Sequence, residues 1–133
     1  MDDARLAERL DRAHAETGQS EKLRSLIVVH IASEESKSGA SIENVPQLAE
    51  QILKLPNLRL AGLMCIPPFL EDVKRVRPYF RKLRELRRSL EAQLKYELPV
   101  LSMGMSHDFE AAIEEGATEI RVGTALFGAR AKQ

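Results

Sequence analysis

The sequence predicts an α/β fold built on a parallel sheet, and two observations carry that prediction. Short β-branched runs alternate with longer stretches whose apolar residues recur at helical spacing. The order is one helix and then four strands, each trailed by a helix or helical turn, with no linker, low-complexity tract or repeat between them.

Leu6, Leu10 and Ala13 follow a three-to-four spacing, so residues 2–15 read as a helix that Thr17-Gly18 ends. Residues 26–31 (LIVVHI) are an apolar run broken only by His30, the pattern of a strand covered on both faces. After the polar loop SEESKSGA, Ile42, Val45, Leu48, Ala49, Ile52 and Leu53 mark a second helix, with Ser41 and Asn44 competing as its cap. Residues 58–65 (LRLAGLMC) read as the second strand, stopped by Pro67-Pro68, which cannot continue a ladder. Val76, Phe80, Leu83, Leu86, Leu90 and Leu94 run through a long helix. Its Pro78 belongs in the first turn, where a missing N–H costs nothing. After Pro99, residues 100–103 (VLSM) are a third strand; Ser106, with Asp108 and Glu110, begins the next helix and Gly116 ends it. Residues 119–122 (EIRV) are the fourth strand, and Gly123-Thr124 opens a final helical turn.

A length of 133 residues bounds the chain to one domain, and its 44% apolar content is enough for a real core. Twenty basic and 20 acidic side chains cancel. They leave no whole-protein field of the kind that nucleic acid or an anionic membrane demands. The single Cys65 can form no internal disulfide and is too little for a structural zinc site, which points to a reducing interior. The opening MDDARLAERL has no apolar signal core, and no stretch approaches the roughly 20 apolar residues of a membrane span. A soluble, cytoplasmic protein is expected. Four βα units are an odd count for a closed fold, because a flavodoxin-like sheet has about five strands and a barrel has eight in about 250 residues.

Chemistry concentrates in residues 101–130. Two strand-to-helix junctions, Met103-Gly104-Met105-Ser106 and Val122-Gly123-Thr124-Ala125, each set a glycine just before a hydroxyl residue. Glycine lets a backbone approach a ligand closely, and a helix N-terminus offers free N–H donors, so a phosphate fits there. Either junction taken alone reads as a cap or a turn, Ser106 as a helix cap and Gly123 as a turn glycine. Arg121 shifts the balance, because a guanidinium inside a buried strand needs an anionic or hydrogen-bonding partner.

At this level of detail SMGMSHDFEAAIEEGATEIRVGTALFGAR closely resembles the C-terminal signature of the pyridoxal phosphate homeostasis proteins (YggS/PROSC type). The resemblance extends upstream through LRLAGLMCIPP and HIASEESKSGA and covers nearly the whole chain. It implies an alanine-racemase-like TIM (β/α)8 barrel that holds pyridoxal 5′-phosphate (PLP) as a Schiff base and acts as a carrier or regulator without established turnover. It also implies that Ser106, Gly123 and Thr124 contact the phosphate and that Arg121 faces the pyridine nitrogen, keeping it unprotonated and so suited to holding over catalysis. Met64 and Met105 would line the ring, or equally fill core space.

In that family the Schiff-base lysine ends the first strand, in an A-V-S-K-type segment that this sequence lacks; Lys37 belongs to the S-K-x-G loop, a different position. By this resemblance the chain corresponds to the C-terminal half of the barrel, strands five to eight. PLP would then be held non-covalently or through a lysine on a partner chain. Because open edges leave N–H and C=O groups unpaired, either a homo-oligomer or a separate N-terminal-half chain is expected to complete the sheet. The alternatives are a racemase-like enzyme subunit completed by a partner, and an interaction module that has lost PLP.

The remaining polar residues read as ordinary ones. His14, His30 and His107 show no metal-ligand spacing, and Cys65 reads as a small buried apolar residue. The adjacent pairs Glu34-Glu35 and Glu114-Glu115 point apart and make no carboxylate dyad. Residues 74–88 hold eight bases against Glu85, a footprint a nucleic acid can use, but a barrel's outer helix shows a solvated face and that reading outweighs it.

Overall fold

The computed structural model describes residues 1–32 and 39–129. Lys37, the Glu34-Glu35 pair and Arg130 lie outside the described residues. Helix α1 spans Ala4–Glu16, capped by Asp3, whose carboxylate accepts the Leu6 N–H at 2.7 Å. Its buried face is Ala7, Asp11 and His14, whereas Ala13 is exposed. The expected Leu6/Leu10/Ala13 face is rotated because two polar residues find backbone partners inside. Asp11 accepts the Asn57 N–H at 2.7 Å, and His14 Nε2 donates to the Glu21 carbonyl at 2.6 Å.

Strands β1 (Leu23–His30), β2 (Ala40–Ser41), β3 (Leu58–Met64), β4 (Val100–Met105) and β5 (Glu119–Arg121) form one parallel sheet in the order β2-β1-β3-β4-β5. The two-residue β2, which pairs with Val29 and His30, is an addition to the four expected strands. Helices α2 (Val45–Leu53), α3 (Arg77–Leu94), α4 (Phe109–Glu114) and the short α5 (Thr124–Phe127) follow the strands. Neither Ser41 nor Asn44 caps α2 with its side chain; a 3-10 turn, Ile42–Asn44, leads into it instead. Pro78 does sit in the first turn of α3.

From β1 onward each longer strand is added to the same edge, with no reversal of order. That progression is barrel winding; a doubly wound sheet reverses direction at a switch point. The helix-side row Ile27, Leu63 and Leu101 is fully buried and packs with Val45, Ile52, Phe80, Leu83 and Leu90 in one core. The opposite row is Val28, Met64, Ser102 and Glu119, and Leu26, Val28, His30 and Met64 on it are half-buried. The expectation that the first strand is covered on both faces is therefore corrected: the helices cover one face.

The sheet also curls. Arg24 on β1 forms an ion pair with Glu119 on β5, two strands farther than a neighbour. In a flat sheet these residues would stand about 14 Å apart across three strand spacings and several residues out of register. On the outer side, Glu115 is buried at the end of α4 and held by Arg81 at 3.2 Å, Arg84 at 3.3 Å and Arg77 at 3.5 Å, all from α3. Three of the eight bases in residues 74–88 are thus engaged in fixing α3 to α4.

Candidate functional site

The C-terminal ends of β3, β4 and β5 open onto a cavity of 710 Å³, the end of a parallel sheet at which ligands bind. One wall is the chain after β3 (Ile66, Pro67, Phe69), the second the turn after β4 (Met105 to Asp108), the third the end of β5 and α5 (Arg121, Gly123, Thr124, Phe127, Gly128).

Gly104 makes the second wall possible. Its φ is +101°, and a Cβ there would stand 2.6 Å from that of Ala112, so only glycine lets β4 turn directly into α4. Asp108 Oδ1 then accepts the Met105 N–H at 2.8 Å and closes the turn. Ser106 does not cap α4, contrary to one sequence reading; Asp108 stands at the cap position. The Ser106 hydroxyl instead crosses to the neighbouring junction, where its oxygen accepts the N–H groups of Gly123 at 3.1 Å and Ala125 at 3.0 Å. The two glycine-hydroxyl junctions are thereby one structure, tied through a single oxygen.

Arg121 is half-buried and donates from Nη2 to the Cys65 carbonyl at 2.8 Å. Its Nε is buried with no hydrogen-bond partner among the described residues. Burial lowers the guanidinium's pKa, with Cys65 and Asp108 opposing that shift; arginine nonetheless keeps its proton in proteins. Cys65 itself is fully buried, and burial pushes its thiol up to about 12, so it is an inert packing residue.

Of the residues singled out in the sequence, Met105, Ser106, Arg121, Gly123 and Thr124 all line the cavity. Met64 ends β3, half-buried on the sheet face between Val28 and Ser102, and is not among the residues lining this cavity. The chain leaves the strand at Cys65, and Ile66 and Pro67 reach the cavity in its place. Sequence reasoning missed Phe69, His107 and Phe127. The available signal was the Pro-Pro pair, which marks a loop at the ligand-binding end of a strand. His107 Nε2 meets the Leu70 carbonyl at 2.8 Å, and its ring lies 4.5 Å from that of Phe69. Among the described residues no group of three or more metal-ligating side chains gathers, and no helix is long and apolar enough to cross a membrane.

The model of the family described as "Alanine racemase, N-terminal domain" matches residues 2–131. The chain belongs to this family. Among its relatives, the pyridoxal phosphate homeostasis protein of Aquifex aeolicus is 59% identical over 105 residues, 79% of this chain and 46% of that protein. The protein of the same name from Vibrio alginolyticus is 45% identical over 130 residues, 98% of this chain and 54% of that protein. Among solved structures, PipY of Synechococcus elongatus PCC7942 with PLP bound matches with a TM-score of 0.83 at 33% identity. That match covers 96% of this chain and 58% of PipY. This alanine racemase-type chain therefore carries the expected resemblance to the homeostasis proteins, and it spans about half the length of the curated relatives it matches.

Proposed function

We propose that this chain holds PLP, as part of a pyridoxal phosphate homeostasis-type protein, and that it stores or hands on the cofactor without turning over a substrate. The observation that carries the reading is the joined pair of junctions. Ser106 Oγ gathers the Gly123 and Ala125 N–H groups at the same cavity that Arg121 enters.

The residues fit the group. A Cβ on Gly123 would meet nothing within 4 Å, so an oxygen has room to approach that backbone. The Ser106 oxygen accepts two N–H bonds, which leaves its own proton free to donate outward. The unpartnered Arg121 Nε calls for an acceptor. Ser106, Gly123 and Thr124 would hold the phosphate, Arg121 the pyridine nitrogen, and Met105 the ring's edge. When bound, PLP supplies an electrophilic aldehyde and a ring that accepts negative charge. Arg121 keeps its proton, so it donates a hydrogen bond to the ring nitrogen without protonating it, and this favours holding over turnover.

Each charge-assisted bond to the phosphate contributes about 1.5–3 kcal/mol. With no covalent link from this chain, binding of PLP is expected to be weak and reversible. Calorimetric titration should show PLP and pyridoxine 5′-phosphate binding, and a Ser106→Ala/Thr124→Ala chain should bind at least tenfold more weakly. Equal behaviour of the two chains, with no thermal shift from either ligand, would sink the reading.

The finer reading of the fold is that the sheet corresponds to strands five to eight of the barrel, completed by a second copy or a separate N-terminal-half chain. It is supported by the one-directional strand order and the curl. Sedimentation should find an assembly; a monodisperse monomer with one cooperative melt would count against it.

A further inference from the structure

The wall contributed by the chain after β3 packs against the core through Leu70 but is held by few hydrogen bonds. Residues 65–70 have no regular structure, and Pro67 and Pro68 offer no N–H. Among the described residues, one hydrogen bond reaches residues 66–71 from elsewhere in the chain, and it comes from His107 on the turn after β4. A carbonyl can only accept, so the proton is on Nε2 and the imidazole donates to Leu70 at 2.8 Å. The same ring lies 4.5 Å from Phe69 at an interplanar angle of 36°. Phe69 is 74% exposed and lines the cavity together with His107.

We propose that His107 is a positioning residue that clasps residues 66–70 against the cavity and so sets how fast a bound ligand leaves. Donation to Leu70 fixes the backbone of the wall, and the ring contact fixes Phe69 on it. The role of the ligand in this proposal rests on the reading that the cavity holds PLP; the clasp itself does not.

The test uses two readouts. The chain has no tryptophan, so Phe69→Trp gives a single indole fluorophore on the wall. In that background His107→Ala should lower the emission anisotropy of the introduced indole and speed PLP dissociation by roughly three- to tenfold, the worth of one hydrogen bond. His107→Gln, which keeps an N–H donor, should recover most of both effects, with the melting midpoint of all three chains the same within about 5 °C, the most that one hydrogen bond of this worth moves it. Unchanged anisotropy in His107→Ala overturns the clasp, as does a His107→Gln chain that behaves like His107→Ala. If PLP fails to bind any of these chains, the PLP reading falls, and the anisotropy series still decides the clasp.

Discussion

Gly123→Ala separates a ligand role from a structural one. Gly123 has φ −125°, on the side of the map open to any L-residue, and an added Cβ would meet no heavy atom within 4 Å. The substitution therefore adds no collision, and a less flexible unfolded chain contributes up to about 0.4–1 kcal/mol in favour of the fold. An unfolding entropy of about 2.1 cal/mol/K per residue over 133 residues gives about 0.28 kcal/mol/K, so the melting point should rise by at most about 4 °C. The methyl group, however, would fill open space beside the cavity-lining Gly123 backbone, where on this reading it pushes the phosphate away from the outward-facing Ser106 hydroxyl. Losing one charge-assisted bond there costs about 1.5–3 kcal/mol, which is roughly 10- to 150-fold in affinity. Differential scanning calorimetry and titration with PLP on the same sample read both quantities. Binding within threefold of wild type would refute the placement of the phosphate, and a melting point more than 5 °C lower would refute the steric argument.

Gly62→Ala should do the reverse. Its Cβ would stand 1.8 Å from the Val100 carbonyl oxygen, forcing β3 from β4 at a cost of about 3 kcal/mol, or about 11 °C by the same entropy, measurable in any thermal melt. Cys65 should resist iodoacetamide in the native chain at pH 8 and react once unfolded. Its thiol pKa is raised from 9.0 to about 12 by burial, so the folded state holds the proton more tightly. Stability is then complete below about pH 9 and falls as pH rises toward 12, a decline in urea midpoint that Cys65→Ala should lack. Glu115 is held below the ordinary carboxylate range, first by its hydrogen bond from Arg81 and against the cost of burial. Its contribution is present above pH 4.5 and is lost as pH falls through the lowered value. Glu115→Gln should therefore melt below wild type at pH 7, with the gap closing in acid.

The elements were legible because apolar spacing is local. The residues that fill the core row, Ile27, Leu63 and Leu101, lie in the runs that read as strands, and Phe80, Leu83 and Leu90 carry the period of α3. What failed depended on distant partners. Asp11 and His14 are buried because an amide 46 residues away and a carbonyl seven residues away pair with them, and no spacing rule contains that information. Ser106 sits where local chemistry favours a cap, and a pair of N–H groups 17 and 19 residues later takes its oxygen instead. A two-residue strand such as β2 leaves no periodicity to read.

The first strand is the informative disagreement. An uninterrupted apolar run signals burial on both sides, yet Ile27 and Val29 are buried while Leu26, Val28 and His30 stay half-exposed. Sequence selected only for the helix-covered face would alternate with polar residues, as antiparallel sheets with one wet face do. Leu26, Val28 and Met64 do not. Three apolar side chains left partly wet on a concave face each forgo a fraction of the about 1.5–3 kcal/mol that full burial contributes, and that shortfall is a free-energy cost. The half-barrel reading relieves that cost by laying further strands over the concave face. It also gives the loops around the cavity a far wall, so that assembly state and PLP affinity should rise and fall together in concentration series.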